Sequence, residues 1–280
     1  MSQTIAVITP AWNAQDTIVT TVQSVLDQTY QDWQLWLIAD DDVDYAAFLA
    51  QAGIADARIR HLSSGGVGLG ASRTRNVALE QIEAPYAAIL DADDRLKPTK
   101  LERAVAGLAE HAIVTTALDV MTDRFEHLRF VGNGTDRVLT PGTHKAVSLS
   151  MDSMLVWDRR RADGRYDPTM SNMTDLEFLL QLYRTTPTSL HLGTPLHDYI
   201  KRSSSMSNGA NVAAGMIRSK QEILRRLETG YYGLPAKEVD GVAAFLRISL
   251  EAEALYGDAL AAQPGLLFED HLEPMLAARP

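Results

Sequence analysis

The chain has 280 residues, 46% of them hydrophobic, and a formal charge of −10, enough apolar content for one well-buried α/β unit with a smaller appendage. The carboxylate excess argues against a general role on nucleic acid or anionic lipid, and the absence of cysteine excludes disulfides, thiol catalysis and Cys-ligated zinc. No apolar run is long enough to cross a bilayer, and Met1-Ser2-Gln3-Thr4-Ile5 lacks the basic flank and apolar core of an export signal, so a cytoplasmic protein is expected.

Residues 5–8 read as a strand and 16–26 as a helix with apolar positions at Ile18, Val22, Val25 and Leu26. A second strand, 35–38, ends in Asp40, Asp41 and Asp42, and a short helix follows over 45–51. Residues 58–62 give a third strand, 71–82 a third helix and 86–90 a fourth strand. Each strand is brief, apolar and followed by polar residues or glycine, the pattern of a parallel sheet covered on both faces. The fourth runs straight into Asp91, Asp93 and Asp94 and the segment stops at Pro98. Both acidic clusters therefore fall on the carboxyl edge, where open α/β sheets bind ligands. Hard cations such as Mg²⁺ or Mn²⁺ suit such a site, held by one or two carboxylates and a substrate's phosphates.

Several elements resemble the family-two glycosyltransferases of the GT-A fold. Ile8-Thr9-Pro10-Ala11-Trp12-Asn13 is similar to their P-[AS]-[YF]-N element, with Trp for the usual Tyr or Phe. Ser24-Val25-Leu26-Asp27-Gln28-Thr29-Tyr30 resembles S-[VI]-L-x-Q-[ST]-[YF], and Asp91 to Asp94 match D-A-D-D in full. Ala39-Asp40-Asp41-Asp42 keeps only the second acid of the family's D-D-G-S in register, and Ser72-Arg73-Thr74-Arg75-Asn76 meets A-R-N-x-G in part. Tyr166-Asp167-Pro168 resembles F-D-E, residues 174–182 resemble E-D-x-x-F-x-L-R-L, and residues 199–208 resemble Y-R-x-H-x-x-S-x-S. The resemblance implies a GT-A fold and an inverting enzyme that moves a sugar from a nucleoside diphosphate, with UDP the expected carrier. It implies Asp175 as catalytic base and a nucleotide site of Pro10, Trp12, Asn13, Asp40 (on the uracil), Arg73, Asp91 and Arg202. Arg202 stands where the family often has a metal- or phosphate-contacting histidine; an arginine cannot ligate a cation but can neutralise pyrophosphate.

The chemistry asks for these residue types. Losing a nucleoside diphosphate builds negative charge on the phosphates, which a divalent Mn²⁺ or Mg²⁺ at Asp93 would stabilise, with Asp91 on ribose or a metal-bound water. The attacking hydroxyl needs a carboxylate to take its proton, the role expected of Asp175, with Glu177 and Tyr199 on the acceptor side. Taken alone, Asp175 beside Thr174 reads first as a helix N-cap or first-turn acid; its register with Tyr166-Asp167 and 199–207 favours the base. Two other function classes stay open. Gly66-Val67-Gly68-Leu69-Gly70-Ala71 satisfies the dinucleotide fingerprint, with Asp91 ending the next strand, which would make an NAD-dependent oxidoreductase. A non-catalytic sugar-nucleotide binder is the third.

The expected organisation is a nucleotide-sugar half over 1–98, an acceptor half over 99–209 and a helical extension over 210–280. Residues 126–131 and 137–139 read as strands of a small lip and 147–155 as a wall beneath the sugar. Helices are expected over 212–227, 239–255 and 266–277, offering a cap, an acceptor lid or a homodimer interface through Phe245, Leu246, Leu250, Tyr231 and Tyr232. Residues 203–209 read as a segment that orders over bound donor. Arg159, Arg160, Arg161 and Arg165 read as a solvated basic loop open to an acidic acceptor or a lipid surface. His197 and Asp198 are expected to be structural. Partners expected are the donor and a glycan, lipid-linked or small-molecule acceptor, with peripheral association at the inner membrane face; no nucleic acid is expected.

Overall fold

The computed structural model describes residues 3–149, 152–201 and 210–278. β1 (Ile5–Ala11) is buried except at Pro10, because α1 (Ile18–Leu26) covers one face and α3 (Ala71–Gln81) the other. Between these helices come β2 (Trp33–Ala39), α2 (Tyr45–Gln51) and β3 (Ile59–Ser63), and after them β4 (Tyr86–Ile89). β3, β2, β1 and β4 lie side by side in that order, all parallel. The loops after them therefore open on one edge.

The second half supplies β5 (Arg95–Leu96), α4 (Lys100–Leu108), β6 (Ile113–Thr122), β7 (His127–Val131), β8 (Arg137–Leu139), α5 (Pro141–Val147), β9 (Val156–Asp158), α6 (Thr174–Leu182) and β10 (Ser189–Lys201). β9 is antiparallel to both β4 and β6, so β6 points the same way as β1 to β4, and β10 runs parallel to β6. Strand order across the mixed sheet is β3-β2-β1-β4-β9-β6-β10-β5, with β7 against β6 and β8 against β10. The expected lip strands are β7 and β8. Residues 152–155 of the expected wall lead into β9, which threads the sheet centre with Trp157 1% exposed; residues 150–151 lie outside the described residues.

Two cores flank the sheet. Val7, Ile18, Val22, Leu35, Leu37 and Leu101 fill one face, and Ile8, Ala78, Leu79, Trp157, Tyr166 and Phe178 the other. A third core joins α6 to α7 (Ala210–Glu228), α8 (Ala236–Ala262) and α9 (Phe268–Ala277). Phe245, Leu246 and Tyr232 are buried inside it. The apolar stripe of α8 packs against α5, α7 and α9, while Leu250 is half-buried and Tyr231 exposed. Ion pairs fasten the helices to the body: Lys201 to Glu269 at 2.7 Å, Arg129 to Asp270 and Glu273, and Arg226 to Glu177 and Asp167. No helix among the described residues is long and apolar enough to cross a membrane.

The basic run is an exposed turn at Arg160, Arg161 and Arg165, as expected, but its cations are engaged within the protein. Arg159 donates to the carbonyls of Leu79, Ile82 and Ala84 at the end of α3, and Arg161 to those of Leu108 and Glu110 at the end of α4. Cations placed there satisfy the orphan carbonyls and the negative end of each helix. Arg160 pairs with Asp158 and Arg165 with Asp163.

Candidate active site

The acid loop after β4 is held rigidly by its last member. Asp94 is 1% exposed; its Oδ1 accepts from the amide of Ile200 at 2.9 Å and its Oδ2 meets Nε2 of His197 at 3.1 Å. Nδ1 of His197 meets Nζ of Lys100 at 2.8 Å, and Lys100 also donates to the carbonyl of Met154. Burial drives His197 well below its usual range and lowers Lys100 to about 7, so His197 is neutral. The neutral imidazole bridges Lys100 at Nδ1 and Asp94 at Nε2, and burial raises Asp94 well above the usual carboxylate range. Thr21 ties the same loop from α1, donating to the carbonyls of Ala92 and Asp94. Both oxygens of Asp94 are thus committed, while Asp91 and Asp93 remain partly exposed. His197 is structural, as expected.

Arg75 organises the centre. It is 3% exposed on the inner face of α3 and donates to Asp91 Oδ1 at 2.5 Å and to Asp175 Oδ1 at 3.0 Å. Two acids 84 positions apart in the chain therefore share one guanidinium. Asp175 stands in the first turn of α6, yet the residue at the cap is Met173, in a left-handed conformation with φ 57 and no side-chain cap bond. Its carboxylate is turned to Arg75 instead of serving the helix end. Burial raises its pKa, Arg75 opposes this, and Asp91 and Asp152 add to it; the outcome is about 6 against an ordinary 3.8. Tyr166 backs the pair, its ring 4.9 Å from the Arg75 guanidinium and stacked on Phe178 at 4.3 Å.

On the other side of the edge a glycine-rich loop follows β3. Asp40, 4% exposed, takes the amides of Leu69 at 3.0 Å and Gly70 at 2.8 Å on its two carboxylate oxygens, and its carbonyl takes that of Gly68. It staples the loop, and with both oxygens occupied by backbone N–H groups it is not placed to read a base. Asp41 plays the matching part for the β1 loop, accepting from the amide of Asn13 at 2.7 Å and the hydroxyl of Tyr45 at 2.9 Å. Asn13 needs that support, having φ 49. Trp12, just beyond Pro10, is 49% exposed, and Val67 and Leu69, on either side of Gly68 in the chain, are 55% and 37% exposed. Its ring crosses Gly68, where a Cβ would lie 3.4 Å from it and where φ is +67. The result is an exposed aromatic platform at the sheet edge.

Other expected residues lie elsewhere. Arg73 is exposed, whereas Arg75, one position before Asn76 in the A-R-N register, enters the site. Glu177 is fully buried and bound to Gln181 and Arg226, so it faces the C-terminal helices and cannot meet an acceptor. Tyr199 is half-buried on β10 against the cluster of Leu118, Val120, Val131 and Met154. Arg202 and the segment 203–209 lie outside the described residues.

The fold and its edge define a GT-A nucleotide-sugar transferase architecture. The profile of glycosyl transferase family 2 matches residues 6–135. TuaG of Bacillus subtilis, named "Putative teichuronic acid biosynthesis glycosyltransferase", is 30% identical over 223 residues, covering 75% of this chain and 84% of TuaG. A β-1,3-glucosyltransferase of Escherichia coli, WfgD, named for transfer from UDP-Glc to α-D-GlcNAc-diphosphoundecaprenol, is 34% identical over 109 residues, 39% of this chain and 42% of its own. Staphylococcus aureus TarS (residues 1–349), solved with UDP-GlcNAc, superposes with a TM-score of 0.70 at 15% identity, covering 99% of this chain and 81% of that one. The chain belongs to glycosyltransferase family 2 and is a glycosyltransferase.

Proposed function

We propose that the protein transfers a sugar from a UDP-sugar to a hydroxyl of a glycan or lipid-linked saccharide, with inversion at the anomeric carbon. The observation that carries this is Arg75, which holds Asp91 and Asp175 on one cleft beside Asp93. Asp175 accepts the acceptor's proton as the new C1–O bond forms and the C1–O bond to the diphosphate breaks on the opposite face, the arrangement that inverts. Arg75 keeps the base oriented and offsets part of the repulsion from Asp91. Trp12 stacks on the nucleobase, framed by Val67 and Leu69. Domain roles follow: donor binding over 1–98, acceptor binding over 99–209 and support from 210–280.

The donor set fits a divalent cation. No group of three or more His, Cys, Asp or Glu side chains among the described residues could hold an ion, but Mg²⁺ and Mn²⁺ use one or two carboxylates and complete their shell with substrate phosphates and water. Asp93, with Asp91 next to it, would hold the ion, which when bound neutralises the leaving diphosphate. The names of the relatives, one for teichuronic acid and one for an undecaprenol-linked saccharide, support a cell-surface glycan as the acceptor's class.

The test is calorimetric titration of UDP, GDP and NAD with and without Mn²⁺. UDP binding that requires Mn²⁺ and falls at least tenfold in Asp93→Asn is expected. Metal-independent tight binding of NAD would overturn the reading.

A further inference from the structure

A second polar cluster stands beside the acid loop and takes no part in the chemistry above. Arg95 leaves the chain two residues after Asp93 and donates to Asp198 Oδ2 at 2.8 Å. Lys97 bridges Asp198 at 3.0 Å and Asp119 at 2.9 Å, and Asp119 meets Nδ1 of His127 at 2.6 Å. The two acids are buried, Arg95 and Lys97 partly exposed and His127 half-exposed. A row of hydrogen-bonding groups thus reaches the surface across β5, β10, β6 and β7.

Phe125, in the turn between β6 and β7, covers one end of this row. The Arg95 guanidinium carbon lies 3.9 Å from its ring centroid, and Phe125 is 42% exposed. Its φ is +62. The turn is closed by the amide of Phe125 to the carbonyl of Thr122 and by the Thr122 hydroxyl, which takes the amides of Arg124 and Glu126. Gly or Asn occupies such a position without steric cost; a bulky aromatic does not. Burial does not offset that strain here, and strain of this kind collects at binding sites.

We infer that Phe125 and this polar row dock a pyranose ring of the acceptor. A sugar has a C–H face that stacks on an aromatic ring and a rim of hydroxyls that needs several donors and acceptors, and both are present together. The turn and strand carry Asp123 and Glu126 against Arg124 and Arg129, a balance that gives no pull toward anionic headgroups and so favours a saccharide over a membrane surface. The inference rests on the transferase reading and names the part of the protein that meets its second substrate.

The test uses the methyl glycosides of glucose, galactose, mannose and N-acetylglucosamine, added at millimolar concentration to the protein with UDP and Mn²⁺. Saturation of aromatic protons is expected to reach the ring C–H protons of at least one glycoside. Phe125→Gly should weaken that glycoside about tenfold while UDP affinity is unaltered. It should also hold or raise Tm, since glycine relieves the positive φ, so a lost signal cannot be ascribed to misfolding. No saturation transfer to any glycoside in the native protein, an affinity for the glycoside unchanged in Phe125→Gly, or a parallel loss of UDP binding would each overturn the inference. Absence of UDP binding to the native protein would overturn the transferase reading, and this inference with it.

Discussion

Asp175→Asn should stabilise the protein and slow transfer by orders of magnitude. The Asp175 pKa lies at about 6 in the folded chain against 3.8 for the free side chain, a displacement of about 3 kcal/mol against the ionised form. Its side chain is 23% exposed, so water screens part of this and about 2 kcal/mol is expected to remain. The native state holds the proton more tightly than the unfolded chain, so stability falls as pH rises from about 4 to about 6, and the penalty is complete above that. Asparagine carries no such penalty at any pH. For a chain of this size about 2 kcal/mol corresponds to a Tm difference of about 4–8 °C. Differential scanning calorimetry of both proteins between pH 4 and pH 7.5, without nucleotide or metal, reads it directly. The variant should gain nothing at pH 4 and the full difference at pH 7 and above. Transfer should fall about 10²- to 10⁴-fold, the usual contribution of a general base, and in the native enzyme kcat/KM should rise with pH to a plateau above about 7. A variant less stable than the native protein at pH 7, or a Tm difference that does not change with pH, would refute the argument that Asp175 is a base kept charged against its surroundings.

Two further outcomes follow from the supports of the site. Arg226→Met leaves buried Glu177 and neighbouring Asp167 without their cation, and should cost about 3–5 kcal/mol, read as a lower denaturation midpoint at unchanged m-value. Asp40→Asn keeps one acceptor for the loop amides and turns an N–H toward the other. That should raise KM for the nucleotide sugar about tenfold while kcat changes little, because the loop is displaced and the base is not.

The first hundred residues were legible because parallel strands buried on both faces are short apolar runs and their polar ends fall on one edge. In the second half the lip strands β7 and β8 and the three C-terminal helices were legible too, but the centre of the sheet was not. β9 has three residues and sits between antiparallel neighbours brought from distant parts of the chain, and no local periodicity announces such a strand. The preference for Arg73 over Arg75 failed on helix geometry: Ser72, Thr74, Arg75, Ala78 and Leu79 form the buried stripe of α3, and position 73 lies outside it. Glu177 failed for the same reason. Residues two apart on a helix point to nearly opposite sides, so once Asp175 faced the cleft, Glu177 had to face away.

That opposition ties the C-terminal helices to the helix that carries the proposed base. α6 presents Asp175 to Arg75 on one side and Glu177 to Arg226 of α7 on the other, so the proposed base sits on a helix pinned by a guanidinium at each face. Buried Phe178 between them stacks on Tyr166 and meets Trp157 edge-on at 5.2 Å, which fixes the rotation of α6 against the sheet. A base that must stay ionised near a second carboxylate would relieve the repulsion by swinging outward. The Arg226 clamp removes that freedom from the helix, and Arg75 removes it from the side chain.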